Sequence, residues 1–266
     1  MTFVALLVLY CVLLVANSRD NLPMATQDLD PLRHKTVMLF GATGTIGEGL
    51  LLAALQDPQV SQLHVVTRRM TPTIEQGATD GKLKVTIHKD YLDYAAIAGL
   101  LTETDAVYWA IGLSAVGLEE AKYREIHRDY PMRFMSEWLR AGGSRQRSFH
   151  YVSGAGAKSG SRMMWAREKA LAERDLAALA SGTDVRVLSY RPSIIRPTET
   201  ERHLGHRLLY ALFAPIGLAV DAQAIGQAML EVSARGEQYP SGTILENADI
   251  RALGAAYAQR LSGKGE

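Results

Sequence analysis

Cysteine is almost missing from this chain: Cys11 stands alone among 266 residues. A single thiol excludes an intramolecular disulfide framework, so the core must hold the fold, and a reducing compartment is the natural setting. A charge excess is missing too. With 29 basic against 28 acidic side chains and no long basic run, the surface lacks the footprint that nucleic-acid binding needs. No internal repeat or low-complexity block interrupts the chain. Nor does the apolar start, Phe3 to Ala16, reach the roughly 20 residues that a bilayer-spanning helix needs. Three readings of it stay open: a signal core ahead of the small residues Ala16-Asn17-Ser18, an anchor, or an extension upstream of a biological start at Met24. The absence of Lys or Arg ahead of the run counts against a signal. On each reading residues 1–30 stand outside the fold, and membrane contact is confined to residues 3–16 if they are retained. The expected location is the cytoplasm.

What is present is an alternation of strands and helices. Hydrophobic content of 47% over this length suits one large α/β domain, residues 31–266. Thr36-Val37-Met38-Leu39-Phe40 is a short apolar run with β propensity. Gly41-Ala42-Thr43-Gly44-Thr45-Ile46-Gly47 follows, and Glu48 to Gln56 reads as a helix. Strand, glycine-rich turn and helix in that order form the phosphate-binding corner of a dinucleotide fold. Gly41 allows the tight turn, Gly44 lets backbone approach a pyrophosphate, and Gly47 lets the helix lie against the strand. Thr43, Thr45 and Ile46 supply the loop and first-turn amides, where donors and partial positive charge gather.

Further strands are expected at Leu63–Thr67, Leu83–Ile87, Ala106–Ile111, Arg147–Val152 and Val185–Tyr190, and helices at Ala95–Leu100, Leu118–Ala141 and Arg162–Ala180. The connection Arg68–Lys82, rich in Thr, Gly and Pro, reads as a loop. Asp221 reads as the N-cap of a helix over Ala222–Ala234. The sum is a Rossmann-type, doubly wound parallel sheet with helices on both faces and a small C-terminal elaboration on the substrate side.

The second strand ends without the Asp or Glu that would accept a bond from an adenosine ribose. Arg68 and Arg69 stand there instead, and guanidinium binds a 2′-phosphate with charge-assisted bonds, so NADP(H) is favoured over NAD(H). Asp90 is a candidate acceptor for the adenine amino group, or else a helix cap before Ala95. Ala110, Ile111 and Gly112 would lie along the dinucleotide, with Gly112 giving room.

Together with Tyr151-Val152-Ser153 and Tyr190-Arg191-Pro192, these residues resemble the short-chain dehydrogenase/reductase superfamily, closest to its atypical, epimerase-like NAD(P)H-binding branch. The resemblance runs from about Thr36 to Ile250. It implies that Ser153 holds a substrate carbonyl and that Lys169 binds the nicotinamide ribose. It also implies a tyrosine four residues before the lysine as proton donor, and here the pattern breaks: the residue is Trp165. Trp165 and Lys169 share a helix face, yet an indole N–H donates a hydrogen bond without being a usable acid. The run Trp165-Ala166-Arg167-Glu168-Lys169 is similar to the Trp-Ala-Arg-x-Lys of bacterial members of that branch.

Two readings of function follow. One is an NADP(H)-binding oxidoreductase for a small carbonyl or sugar-like substrate, with Ser153, Trp165 and Lys169 at its centre. The other is a non-catalytic NADP(H) sensor that reports to a protein partner. Tyr123 to Tyr130 lies on the long fourth helix, a surface that such proteins use for homodimer packing, and its charges read as mostly surface. His203 and His206 sit at helical spacing without Cys or carboxylate ligands beside them, so no metal is expected. With Arg202 and Arg207 they read as a basic rim.

Overall fold

The computed structural model describes residues 36–79, 81–143, 146–198 and 219–262. The apolar start, Met24, Cys11 and the His203/His206 group lie outside the described residues. No described helix is long and apolar enough to cross a membrane.

Six strands form where apolar runs occur: β1 (Thr36–Phe40), β2 (Gln62–Thr67), β3 (Leu83–Ile87), β4 (Ala106–Trp109), β5 (Arg147–Val152) and β6 (Val185–Arg191). A short ribbon, β7 (Ile194–Arg196) with β8 (Ala219–Asp221), brackets the undescribed stretch, and β9 (Thr243–Glu246) closes the far edge. The main sheet has the order β3-β2-β1-β4-β5-β6-β9, parallel throughout. The order reverses between β1 and β4, which places a crevice beyond the C-terminal ends of those two strands.

The helices, in chain order, are α1 (Thr45–Gln56), α2 (Pro72–Ala78), α3 (Ala98–Leu101), α4 (Glu120–Arg124), α5 (Tyr130–Ala141), α6 (Met164–Leu179), α7 (Ala222–Arg235) and α8 (Asn247–Leu261). They cover both faces of the sheet. Leu50, Leu51, Ile225, Met229, Ile250 and Leu253 from α1, α7 and α8 build one core. Phe134, Met135, Trp138 and Leu176 from α5 and α6 build the other. The expected doubly wound architecture is therefore present.

Four local expectations need correction. The segment Arg68–Lys82 is not all loop, because α2 lies within it. Thr71 caps that helix by accepting from the Ile74 amide, and Pro72 fits its first turn. β4 stops at Trp109 rather than Ile111. Ala110 still donates its N–H to the Phe40 carbonyl at 3.0 Å, but the chain then leaves the sheet beside Gly41. The segment Ala95–Leu100 is a 3₁₀ turn, Ala95–Ile97, leading into α3. Asp221 occupies the N-cap position of α7 without capping it, since its carboxylate pairs with Arg196 at 2.5 Å.

The long fourth helix is interrupted. Between α4 and α5 the backbone opens into a π turn, Glu125–Asp129, and Pro131 explains where. An α-helix would aim the N–H of residue 131 at the His127 carbonyl; proline has none. That carbonyl instead accepts a 2.6 Å bond from the Tyr151 hydroxyl of β5.

α1 lies unusually close to α7. A Cβ on Gly49 would sit 2.3 Å from the carbonyl carbon of Ala222, which is backbone and cannot swing aside. Gly49→Ala is expected to cost about 3 kcal/mol, the upper end for overpacking. Urea unfolding checks this, and an unchanged midpoint would show that the two helices part freely.

Candidate active site

The glycine corner is built by contact. Gly41 has φ +83°, and a Cβ there would meet the Ala110 carbonyl carbon at 2.5 Å; a Cβ on Gly47 would meet the Gly41 carbonyl oxygen at 1.9 Å. Both glycines serve the chain's own close packing. Gly44 differs. Among the described residues a Cβ there would meet only the Gly41 oxygen, at 3.6 Å, so none of them demands its lack of a side chain. Gly44 is the N-cap of α1 and offers no capping group. A cradle of this kind fits a dinucleotide pyrophosphate. Glu48 in the first turn is held by Thr73 Oγ1 at 2.7 Å and by Thr198.

At the end of β2, Thr67 Oγ1 and the Arg69 backbone bond to each other at 3.0 Å, which fixes the turn. The side chains of Arg68 and Arg69 are exposed, and neither forms a salt bridge among the described residues. Asp90 is exposed, and its Oδ1 accepts the Leu92 N–H at 2.9 Å. The carboxylate that accepts the Ala95 N–H, at 2.9 Å, is that of Asp93, not Asp90.

The space at Gly112 is taken by His127, because a Cβ on Gly112 would lie 2.9 Å from His127 Cε1. This glycine makes room for a histidine of the same chain, which the sequence reading did not foresee. His127 is 2% exposed, and its Nε2 lies 3.2 Å from the Leu113 amide and 3.1 Å from the Leu113 oxygen. Tyr123 stacks on it with centroids 4.0 Å apart. Burial, helped by the Lys169 charge, pushes the imidazole down to about 2, so it stays neutral. Tyr123, Ile126 and His127 are buried, while the charged Arg124, Glu125, Arg128 and Asp129 stay exposed or half-exposed. The signals were Pro131, four residues after His127, and Gly112.

Ser153 ends β5. Its amide donates to the Tyr190 oxygen at 2.7 Å, while its hydroxyl is buried without a hydrogen-bond partner among the described residues. A buried, unmatched hydroxyl is costly unless a ligand completes it. From α6, Lys169 donates to the Val152 oxygen at 2.7 Å and sits 4.9 Å from the Tyr151 ring centroid. Trp165, one turn earlier, is half-buried and lies over Gly154: a Cβ on Gly154 would be 3.7 Å from Trp165 Cζ3. It belongs to neither apolar core. Tyr151 is fully buried with its hydroxyl committed to His127, and burial raises it well above the usual phenol range. The fold thus brings Ser153, Lys169, Trp165 and His127 to one end of β5. Arg68, Arg69 and Asp90 belong to the turns after β2 and β3.

No protein-family model matches the chain. It is similar to two fungal proteins named FMP52, mitochondrial. The one from Aspergillus fumigatus is 27% identical over 60% of this chain and 66% of that protein, just under two thirds of its length. The one from Chaetomium globosum is 26% identical over 82% of this chain and 96% of that protein. Among solved structures, carbonyl reductase Sniffer of D. melanogaster matches with TM-score 0.59 and 14% identity, over 81% of this chain and 97% of that one. BdcA in complex with NADPH gives 0.63 and 14%, over 81% and 93%. UDP-glucuronic acid 4-epimerase from Bacillus cereus in complex with NAD gives 0.61 and 13%, over 86% and 83%.

These likenesses uphold the resemblance to short-chain reductases and epimerases: the fold is theirs. They overturn the cytoplasmic expectation, since four FMP52 relatives are all named mitochondrial. A lone cysteine argues for a reducing compartment but does not say which one.

Proposed function

We propose that the chain is an NADP(H)-preferring oxidoreductase of the atypical short-chain type, acting on a small carbonyl or sugar-like substrate in a mitochondrial setting like that of its fungal relatives. The observation that carries the reading is the glycine corner. Gly41 and Gly47 are closed by backbone contacts while Gly44 is left open at the head of α1, and that asymmetry is what a bound pyrophosphate requires. The unmatched Ser153 hydroxyl beside Lys169 supports a polar oxygen as ligand. When bound, the nicotinamide supplies or takes the hydride. The chain's own residues orient the oxygen at Ser153 and shape the pocket with Trp165.

The 2′-phosphate preference rests on Arg68 and Arg69. Converting both to alanine is expected to weaken NADPH binding by about 10- to 100-fold, the worth of one or two charge-assisted bonds, and to leave NADH within about threefold. Titration calorimetry with both nucleotides checks this, and an equal loss for each would remove the preference.

The half-buried indole of Trp165, in the place of an acid, favours a second reading: an NADP(H) sensor without turnover. A carbonyl panel with NADPH separates the two. Tight binding without consumption of NADPH would leave only the sensor, and absence of binding would end both.

A further inference from the structure

We propose that Lys169 is the acid and base of this site, giving its proton to a substrate oxygen lodged at Ser153 in place of the missing tyrosine hydroxyl. The inference rests on the oxidoreductase reading and assigns a step which that reading leaves without a donor.

Lys169 is 7% exposed, as is Ser153. Its ammonium reaches the carbonyl of the peptide that joins Val152 to Ser153, at 2.7 Å. The ammonium is thus held one peptide bond from Ser153, whose hydroxyl has no partner among the described residues. What it lacks among the described residues is a salt-bridge partner. The carboxylate on its own helix, Glu173, has both oxygens engaged by Arg191, at 2.9 and 2.6 Å, and Arg191 also holds Glu246 at 2.9 Å. From β5 it faces the Tyr151 ring, and from the π turn the neutral imidazole of His127, backed by Tyr123 of α4, whose phenol burial pushes up to about 12.

A buried ammonium served by one carbonyl and one ring face is poorly compensated, and such lysines lose their proton near neutrality. Burial brings Lys169 down to about 7, partly opposed by Glu173. The other groups around Ser153 do not titrate there: Trp165 has no exchangeable acid of use, the Tyr151 hydroxyl is spent on His127, and His127 stays neutral.

In the reductive direction an N–H bond of the ammonium breaks and an O–H bond forms at the substrate oxygen. The carbonyl carbon meanwhile receives hydride from a dihydronicotinamide, which is oxidised. The neutral amine then recovers a proton from solvent. In the oxidative direction the amine takes the alcohol proton.

Two measurements test this, and the first needs no cofactor. Below its folded pKa Lys169 is protonated whether the chain is folded or not. Between about pH 7 and 10.5 only the unfolded chain holds that proton, so stability rises with pH across this window. Urea unfolding of wild type and Lys169→Met at pH 6.5 and 9.5 should therefore show wild type gaining on the variant as pH rises. A constant difference would mean that Lys169 titrates as an ordinary lysine and would overturn the proposal.

The second measurement uses Lys169→Arg, which keeps the cation. At NADPH concentrations that saturate each protein, single-turnover carbonyl reduction should fall at least 100-fold, and the fall in wild-type rate above pH 7 should disappear. A preserved rate and pH limb would overturn the assignment. If wild type binds neither NADPH nor NADH, the oxidoreductase reading fails first and takes this step with it. If Lys169→Arg does not fold, Lys169→Met serves for the kinetics under the same criteria.

Discussion

Gly44→Asp is expected to leave the protein folded and to remove nucleotide binding. Position 44 is the N-cap of α1 with φ −100° and ψ 164°, a conformation that aspartate adopts readily when it caps a helix. Among the described residues a Cβ there meets nothing closer than 3.6 Å. The variant should accordingly match wild type or gain a few tenths of a kcal/mol, the usual difference between Asp and Gly at such a position. A phosphate arriving at the same amides would meet both a filled cradle and a second negative charge. Loss of at least 100-fold in NADPH affinity, about 2.7 kcal/mol, is the expected result by calorimetry, with the thermal midpoint unchanged. Retained affinity would show that the anion sits elsewhere. A collapsed midpoint would show that Gly44 is structural, like Gly41 and Gly47.

The second large effect is a gain. Trp165→Tyr puts a phenol one helical turn before Lys169 and over Gly154, where the indole has contact at 3.7 Å from a would-be Cβ and remains half-buried. Tyrosine is smaller, so no clash opposes the change. A neighbouring cation lowers a phenol toward working pH, and a positioned general acid is worth roughly 10² to 10⁴ in rate. Carbonyl reduction should rise by about 10² in kcat with little change in KM, and under the sensor reading activity should appear where none existed. Steady-state kinetics on the most reactive carbonyl of the panel checks it. No gain would mean that residue 165 does not face the reacting oxygen.

Much of the architecture was legible because buried parallel strands are short apolar runs, and β1, β2, β3, β5 and β6 begin or end within a residue of where those runs do. The edges were harder. β9 is four residues at the sheet margin, and α8, rich in alanine, has only a weak apolar stripe. Its capping box uses Glu246 and Asp249, a pairing less common than one built on Ser or Thr. Thr71-Pro72 announced α2, but the surrounding Thr and Gly hid it. At the site, the family resemblance pointed to Ser153 and Lys169, and helical spacing put Trp165 on the same face as Lys169. His127 escaped because a histidine among Arg, Glu and Asp looks solvated. Its burial follows from the break in the helix, and a helical periodicity scan passes over such breaks. Likewise Gly112 was read as room for a ligand, when the occupant is a ring of the same chain.

The interruption at Glu125–Asp129 has a consequence for how this interior tolerates change. A tyrosine hydroxyl deep in an apolar layer needs an acceptor, and going without one costs about 1–3 kcal/mol. The acceptor exists because Pro131, a residue that normally spoils a helix, withholds a competing amide. Pro131 and Tyr151, 20 positions apart in sequence, are thus a matched couple: each excuses the other's awkwardness, and drift at one is safe only in company with the other.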